Sequence, residues 1–262
     1  TQVKLNNLCR SLGVKYIHAE TRGVFGKVFC DFGEGFVVVD TDGEQPVNVH
    51  VATIVYGDDY VDVVCTEPHE LSSGMHVKFI EIEGPDVFNS LEHVTIKVIK
   101  RDVFRFEYKD VSSLPKFVRG GTVLGVKLPV TYNFKTLETS ISEPDFMISD
   151  FLNMHRPSVL HSSFSALGNY EETYGRLPVS HHKEHVDAFV NEALKLYGDD
   201  FPEEERKTLE TFANNARGEL VAMNSVIGGI AAQEVLKASS GKFTPIRQFL
   251  YLDSMDSLSH ED

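Results

Sequence analysis

The chain has 262 residues, which at about 150 residues per domain points to roughly two domains, or one carrying large insertions. With 42% hydrophobic and 24% charged residues it has ordinary globular composition, neither disordered nor fibrous. A net charge of −14 with no long Lys/Arg run argues against nucleic acid and makes a basic protein the better electrostatic match. The three cysteines, Cys9, Cys30 and Cys65, are odd in number and form no CxxC pair, so they support neither a zinc ribbon nor a disulfide framework. Cys30 and Cys65 lie in apolar runs and read as buried thiols in a reducing compartment. No run approaches 18 apolar residues and no signal-peptide pattern opens the chain. A soluble intracellular protein with no membrane partner is expected.

In chain order, Leu5, Leu8, Cys9 and Leu12 are spaced for one face of a helix over 2–12 that stops at Gly13. Strands follow at Val14–Ala19 and Val28–Phe32, separated by a turn over Thr21–Gly26. The next stretch recurs as short β-branched runs: Phe36–Val39, Val49–Tyr56, Val61–Cys65, Val77–Ile82, Val94–Ile99, Val103–Tyr108 and Thr122–Leu128. Turn signals such as Thr41-Asp42-Gly43, Ser72-Ser73-Gly74 and Arg119-Gly120-Gly121 punctuate them, and no helix intervenes. That spacing predicts an antiparallel barrel or sandwich.

The period then becomes helical. A short helix is expected near Leu137–Ile141, and Leu160, Phe164 and Leu167 share a face after Arg156-Pro157. Val186, Phe189, Val190, Ala193 and Leu194 form a second stripe behind a Ser180 cap. Pro202-Glu203-Glu204-Glu205 opens a third helix with buried Leu209, Phe212, Ala213 and Ala216, ending at Gly218. Together these helices make a small bundle. Leu220–Ala232 is apolar nearly all round, which predicts a buried helix with Gly228-Gly229 at a close backbone contact. A strand at Gln248–Leu252, ending at Asp253, completes the chain. The fold class read here is mixed α and β: an antiparallel β-barrel insert and a helical bundle flanked by α/β segments.

Two stretches carry a family resemblance. Glu20-Thr21-Arg22-Gly23-Val24-Phe25-Gly26-Lys27-Val28-Phe29 resembles the adenylating enzymes that activate ubiquitin, ubiquitin-like proteins and bacterial sulfur carriers. Gly228-Gly229-Ile230-Ala231-Ala232-Gln233-Glu234-Val235-Leu236-Lys237-Ala238, followed by Ser240-Gly241-Lys242-Phe243-Thr244-Pro245 and Gln248-Phe249-Leu250-Tyr251-Leu252-Asp253, is closest to the eukaryotic ubiquitin-activating branch. The resemblance implies a piece of a longer polypeptide. Residues 1–33 would end the first part of an inactive, ThiF-like, Rossmann-type adenylation domain, and 218–262 would supply its last helix and strand. Residues 34–125 would be the barrel called the first catalytic cysteine half-domain, and 126–217 the helical bundle.

That placement leaves no catalytic residue and no cofactor in this chain; ATP and magnesium belong to the intact enzyme. The intact enzyme would adenylate the ubiquitin C-terminus, hold ubiquitin as a thioester on its own cysteine, and pass it to a ubiquitin-conjugating enzyme, in the cytoplasm and nucleus. The implied partners are ubiquitin, the active adenylation and catalytic-cysteine domains of the same polypeptide, and conjugating enzymes through the whole. A reactive thiol needs an exposed, electropositive setting, and Cys30-Asp31 and Cys65-Thr66-Glu67 offer none.

Within Glu67–Gly74, the resemblance makes His69, Glu70 and Ser72 the candidate ubiquitin contacts. Relatives can carry an Arg and an acid four apart there, and this sequence has Pro68 and Ser72 instead. Other motifs read blandly. Arg22-Gly23-x-x-Gly26 lacks GxGxxG and GxxxxGK[ST] and is a tight turn. His181-His182-Lys183-Glu184-His185 lacks HExxH and reads as a solvated helix start, as does the acidic run Asp199, Asp200 and Glu203–Glu205. Two other readings are the same role for a different ubiquitin-like modifier and a stand-alone, non-enzymatic barrel-plus-bundle adaptor.

Overall fold

A computed structural model describes residues 1–148 and 153–255. Its elements in chain order are α1 (Gln2–Ser11), β1 (Tyr16–Arg22), β2 (Phe25–Asp31), β3 (Phe36–Val38), β4 (Asn48–Tyr56), β5 (Tyr60–Cys65), β6 (His76–Glu83), β7 (Val94–Thr95), β8 (Lys97–Lys100), β9 (Val103–Glu107), β10 (Arg119–Val126) and β11 (Val130–Tyr132). Then come α2 (Leu137–Ser142), α3 (Arg156–Tyr174), α4 (Lys183–Tyr197), α5 (Arg206–Asn215), α6 (Val221–Ser240) and β12 (Phe249–Asp253). The class is mixed α and β, and the chain divides into two compact units, 39–130 and 1–38 with 131–262.

The 39–130 unit is one antiparallel ladder in the order β7-β6-β10-β4-β5-β9-β8. Alternate residues face its core: Val61, Val63 and Cys65 from β5, Val77 and Phe79 from β6, Phe104 and Phe106 from β9. This is the period-2 pattern that a sheet with one wet face requires. The run expected as one strand at Val94–Ile99 breaks at Ile96, because Ile96 bonds back to the start of β6 (Ile96 N–H to Met75 O, 3.0 Å; Gly74 N–H to Ile96 O, 2.8 Å) while Lys97–Lys100 pairs with β9. The two ends of the ladder are thus successive pieces of one segment. Arg119-Gly120-Gly121, read as a turn, lies inside β10; its glycines take φ of +72° and +102° opposite Glu81 at +58°, and they kink the strand without ending it.

In the other unit, β1, β2 and β12 form a three-stranded antiparallel sheet. Only Gly23-Val24 turns between β1 and β2, a shorter link than the six residues expected, with Gly23 at φ +56° as a two-residue hairpin with glycine first requires. One sheet face gives Phe25, Phe29, Phe249 and Tyr251 to a core completed by Phe164, Phe189, Leu209 and Phe212 of α3, α4 and α5. The opposite face gives Val28, Cys30 and Leu250 to Met223, Ile227 and Ala238 of α6. Helices therefore cover both faces of the sheet. β3, grouped by sequence with the barrel strands, pairs with β11 instead.

Helix faces follow the expected stripes in α3, α4 and α5 and depart from them elsewhere. α4 is capped by His182 with no side-chain bond, not by Ser180. The acidic triplet is a 3-10 turn before α5, and α5 ends at Asn215. α1 buries Asn6 and leaves Leu5, Leu8 and Leu12 about half or more exposed. Asn6 is drawn in because its amide donates to Asp31 Oδ2 (2.7 Å) and accepts from the Leu137 N–H (2.8 Å). α6, expected to be buried all round, buries Met223, Ile227, Glu234 and Ala238 but exposes Val221, Val235 and Leu236. A Cβ built on Gly228 or Gly229 meets nothing within 4 Å, so neither glycine marks a close contact here.

Candidate functional site

The loop joining β5 to β6 is built on an in-and-out alternation. His69 and Leu71 point into the 39–130 core, at 2% and 6% exposure, while Glu70 and Ser72 face solvent. His69 is therefore a post inside the unit and not a surface contact. Its Nδ1 accepts from the Leu71 N–H (3.0 Å), which leaves Nε2–H to donate to Lys100 O (3.2 Å). Its ring stands edge-on to Phe104 with centroids 5.7 Å apart. The ring serves here because it supplies one donor and one acceptor in a buried slot.

Further bonds fix the loop. Thr66 N–H reaches His50 O (2.9 Å), Ser73 Oγ accepts from Val98 N–H (2.9 Å), and His69 N–H reaches Arg101 O (3.0 Å). The last of these sets Glu70 and Ser72 beside the exposed β8–β9 turn Lys100-Arg101-Asp102. The sequence reading missed this turn, since only the strand pairing brings a segment 30 residues away to the loop. Lys100 and Arg101 of that turn therefore neighbour the loop through their carbonyls. Glu70 holds φ +53°, a left-handed conformation that turns its carboxylate outward between two inward residues.

The remaining candidates lie apart from this loop. Cys65 is buried in the 39–130 core, where desolvation first, then Asp102, pushes its thiol up to about 11. Cys30 sits beneath α6 with Sγ 3.7 Å from Glu234 Oε2, and burial followed by that carboxylate raises its thiol far above the ordinary value. Neither is a thiolate at neutral pH. His181 precedes α4 at φ +58° with its N–H on Asn214 Oδ1 (2.7 Å), so His181 and His185 are not successive turns of one helix. His185 Nδ1 accepts from the Val179 N–H (3.2 Å), and no group of three or more metal-ligating side chains occurs among the described residues. In the acidic run Glu205 departs from the solvated reading: it is buried and takes Arg156 Nε at 2.9 Å and Thr208 Oγ1 at 2.7 Å. Gly23 does occupy a tight turn, but Gly26 is small because Ile227 packs onto it, not because of its backbone angles. No helix among the described residues is long and apolar enough to cross a membrane.

Comparison with known proteins gives this architecture a family. The family model of the ubiquitin-activating enzyme E1 FCCH domain matches residues 58–127, and that of the E1 four-helix bundle matches 128–197. The chain belongs to the ubiquitin-activating enzyme E1 family. Human ubiquitin-like modifier-activating enzyme 1 is 36% identical over 99% of the chain and 25% of its own length. Ubiquitin-activating enzyme E1 1 of Triticum aestivum is 38% identical over 98% of the chain and 25% of its own length, and E1 2 of Arabidopsis thaliana 39% over 95% and 24%. The chain spans about a quarter of the length of the curated relatives it matches. The loop of His69, Glu70 and Ser72 falls inside the E1 FCCH match, and the glycine pair of α6 lies beyond both matched stretches.

Proposed function

We propose that this chain is a non-catalytic part of a ubiquitin-activating enzyme, a scaffold whose 39–130 unit offers a wall for ubiquitin. What carries the reading is the run of two adjacent E1 family matches over a chain whose Cys30 and Cys65 are both buried and protonated. In it the enzyme uses ATP, with magnesium as cofactor, elsewhere in the polypeptide to adenylate the ubiquitin C-terminus, forms a ubiquitin thioester on its own cysteine as AMP leaves, and passes the ubiquitin to a conjugating enzyme. The chain's own task is orientation: a contact that limits the tumbling of bound ubiquitin raises the fraction of encounters with its tail in place. Glu70 and Ser72, with Lys100 and Arg101 beside them, are the surface for that contact, and His69 holds them in position. The active adenylation and catalytic-cysteine domains of the same polypeptide, and through the intact enzyme the conjugating enzyme, are its further partners. The work is done in the cytoplasm and nucleus, where free thiols persist.

The test is a titration of the chain into isotope-labelled ubiquitin, following amide shifts, with Glu70→Ala and Arg101→Ala as variants. Localised, saturable shifts that weaken in both variants are the expected result. Shifts indifferent to both variants would move the contact off this loop, and their absence with ubiquitin but presence with another modifier would assign the chain to that modifier's enzyme. The last outcome has its own motive in the name of the human relative, ubiquitin-like modifier-activating enzyme 1.

A further inference from the structure

A cavity of about 510 Å³ lies in the unit of 1–38 and 131–262, between the β1–β2–β12 sheet, α3 and the start of α1 and α2. That size suits a small organic ligand. Charged and apolar side chains both line the cavity. Lys27, on β2 and only 12% exposed, sends its ammonium to Glu20 Oε2 at 2.9 Å and lies under the ring of Phe164 at 4.7 Å. Arg22 reaches the other carboxylate oxygen of Glu20 with Nη2 at 2.7 Å and Nε at 3.0 Å. Burial alone would raise the Glu20 carboxyl, yet Lys27 and Arg22 together bring it below its ordinary value, so the carboxylate is ionised. Two cations therefore share one anion on the sheet side of the cavity. The nearby histidines are neutral: burial lowers both, His18 to about 4, and His161 is held between Tyr251 OH (2.8 Å) and Ile141 O (2.9 Å). Glu171 and Glu172 also line the cavity, from the solvent-exposed end of α3.

Glu20 takes one bond from the Lys27 ammonium and two from the Arg22 guanidinium, so both cations keep N–H donors that a second carboxylate can use. Leu137, Ile141, Phe164, Leu167 and Phe249 along the walls add a preference for carbon. We propose that this cavity binds a small monocarboxylate with a short apolar tail, its carboxylate against Lys27 and Arg22 and its tail along α2 and α3. Phosphate would meet the same cations and waste the walls; a neutral alcohol would fill the walls and leave those donors without an anionic acceptor.

The probe is hexanoate, titrated into the isotope-labelled 262-residue chain, with acetate, butyrate, phosphate and hexan-1-ol alongside. Saturable shifts centred on Arg22, Lys27 and Phe164 are expected, with affinity rising about threefold to fourfold per added methylene from acetate upward. Hexan-1-ol and phosphate should each bind at least tenfold more weakly than hexanoate, and Lys27→Met should weaken hexanoate at least tenfold. Gly168 lines the cavity from the middle of α3, and a Cβ there meets nothing within 4 Å, so Gly168→Leu should keep the fold and block binding. That variant stands in for Lys27→Met if loss of the ion pair unfolds the chain. Equal binding of hexan-1-ol, phosphate matching hexanoate, undiminished binding in Gly168→Leu, or no shifts with any carboxylate would each overturn the assignment.

Discussion

Substituting Gly26 by alanine isolates a single packing contact between β2 and α6. The residue is not at positive φ, so alanine meets no backbone strain there. Its new methyl would instead sit 2.5 Å from Ile227 Cδ1 and 2.6 Å from Cγ1, with Met223 Cε at 3.4 Å. Ordinary carbon contacts lie near 3.5–4.0 Å, so Ile227 must give by about 1 Å in a site where it is 3% exposed. Overpacking of this kind costs about 1–3 kcal/mol, from which the lost freedom of the unfolded glycine returns about 0.4–1 kcal/mol. A net loss of about 1–2 kcal/mol is expected from urea denaturation followed by far-UV circular dichroism. Ile227→Ala alone opens a cavity and costs about 2–4 kcal/mol. In the double variant the alanine methyl at 26 enters that void, so the pair should cost less than the sum by about 1 kcal/mol or more. A neutral or stabilising Gly26→Ala, or strict additivity in the cycle, would refute the argument that Ile227 dictates this glycine.

Arg10→Met should destabilise by about 2–3 kcal/mol in thermal unfolding, because Arg10 is the bidentate cation of Asp31 (2.9 and 3.1 Å), a carboxylate with 0% side-chain exposure; an unchanged midpoint would deny the pair any weight. His18 is depressed to about 4 against an ordinary 6.5, so the unfolded chain takes up its proton first and stability falls as pH drops through that window, by at most about 3 kcal/mol and less where solvent screens the ring. His18→Leu should flatten that part of the acid slope, and an unaltered urea midpoint shift between pH 7 and pH 4.5 would remove His18 as its source. Of the three thiols, Cys9, which is partly exposed, should react with a maleimide in the native chain while Cys30 and Cys65 wait for denaturant; rapid native labelling of either buried thiol would contradict the packing described.

The strands of the 39–130 unit were legible because one face is wet and one is dry, and a period of two records that directly in residues such as Val61, Val63 and Cys65. The bundle stripes of α3, α4 and α5 were legible for the same reason at a period of 3.6. Hydrophobic spacing says which residues are able to pack, however, and not which surface is there to receive them. Leu5, Leu8 and Leu12 keep their spacing and stay exposed, while Asn6 on the other side is buried by two hydrogen bonds to residues 25 and 131 positions away. Glu234 is hidden likewise by the Ile246 N–H (2.9 Å) and Lys237 Nζ (2.5 Å), in a helix whose Val221, Val235 and Leu236 face out. At the candidate site the loop was found from the family resemblance, but which of its side chains point outward was not. His69 looked like a polar surface residue until Lys100 O and Leu71 N–H took both ring nitrogens.

The break at Ile96 bears on how this chain would fail under proteolysis. Segment 94–100 is shared, its first part bonded to the start of β6 at His76 and Val77 and its second to β9, so it occupies part of the outer edge of each strand. A single nick there removes neither half by itself, yet it uncouples them and lets either one fray. β6 and β9 would then each present a row of free amide and carbonyl groups, the template on which sheets from separate molecules join. One cut in seven residues would turn a self-contained ladder into a sheet with two adhesive margins, and aggregation rather than simple unfolding is the damage to expect.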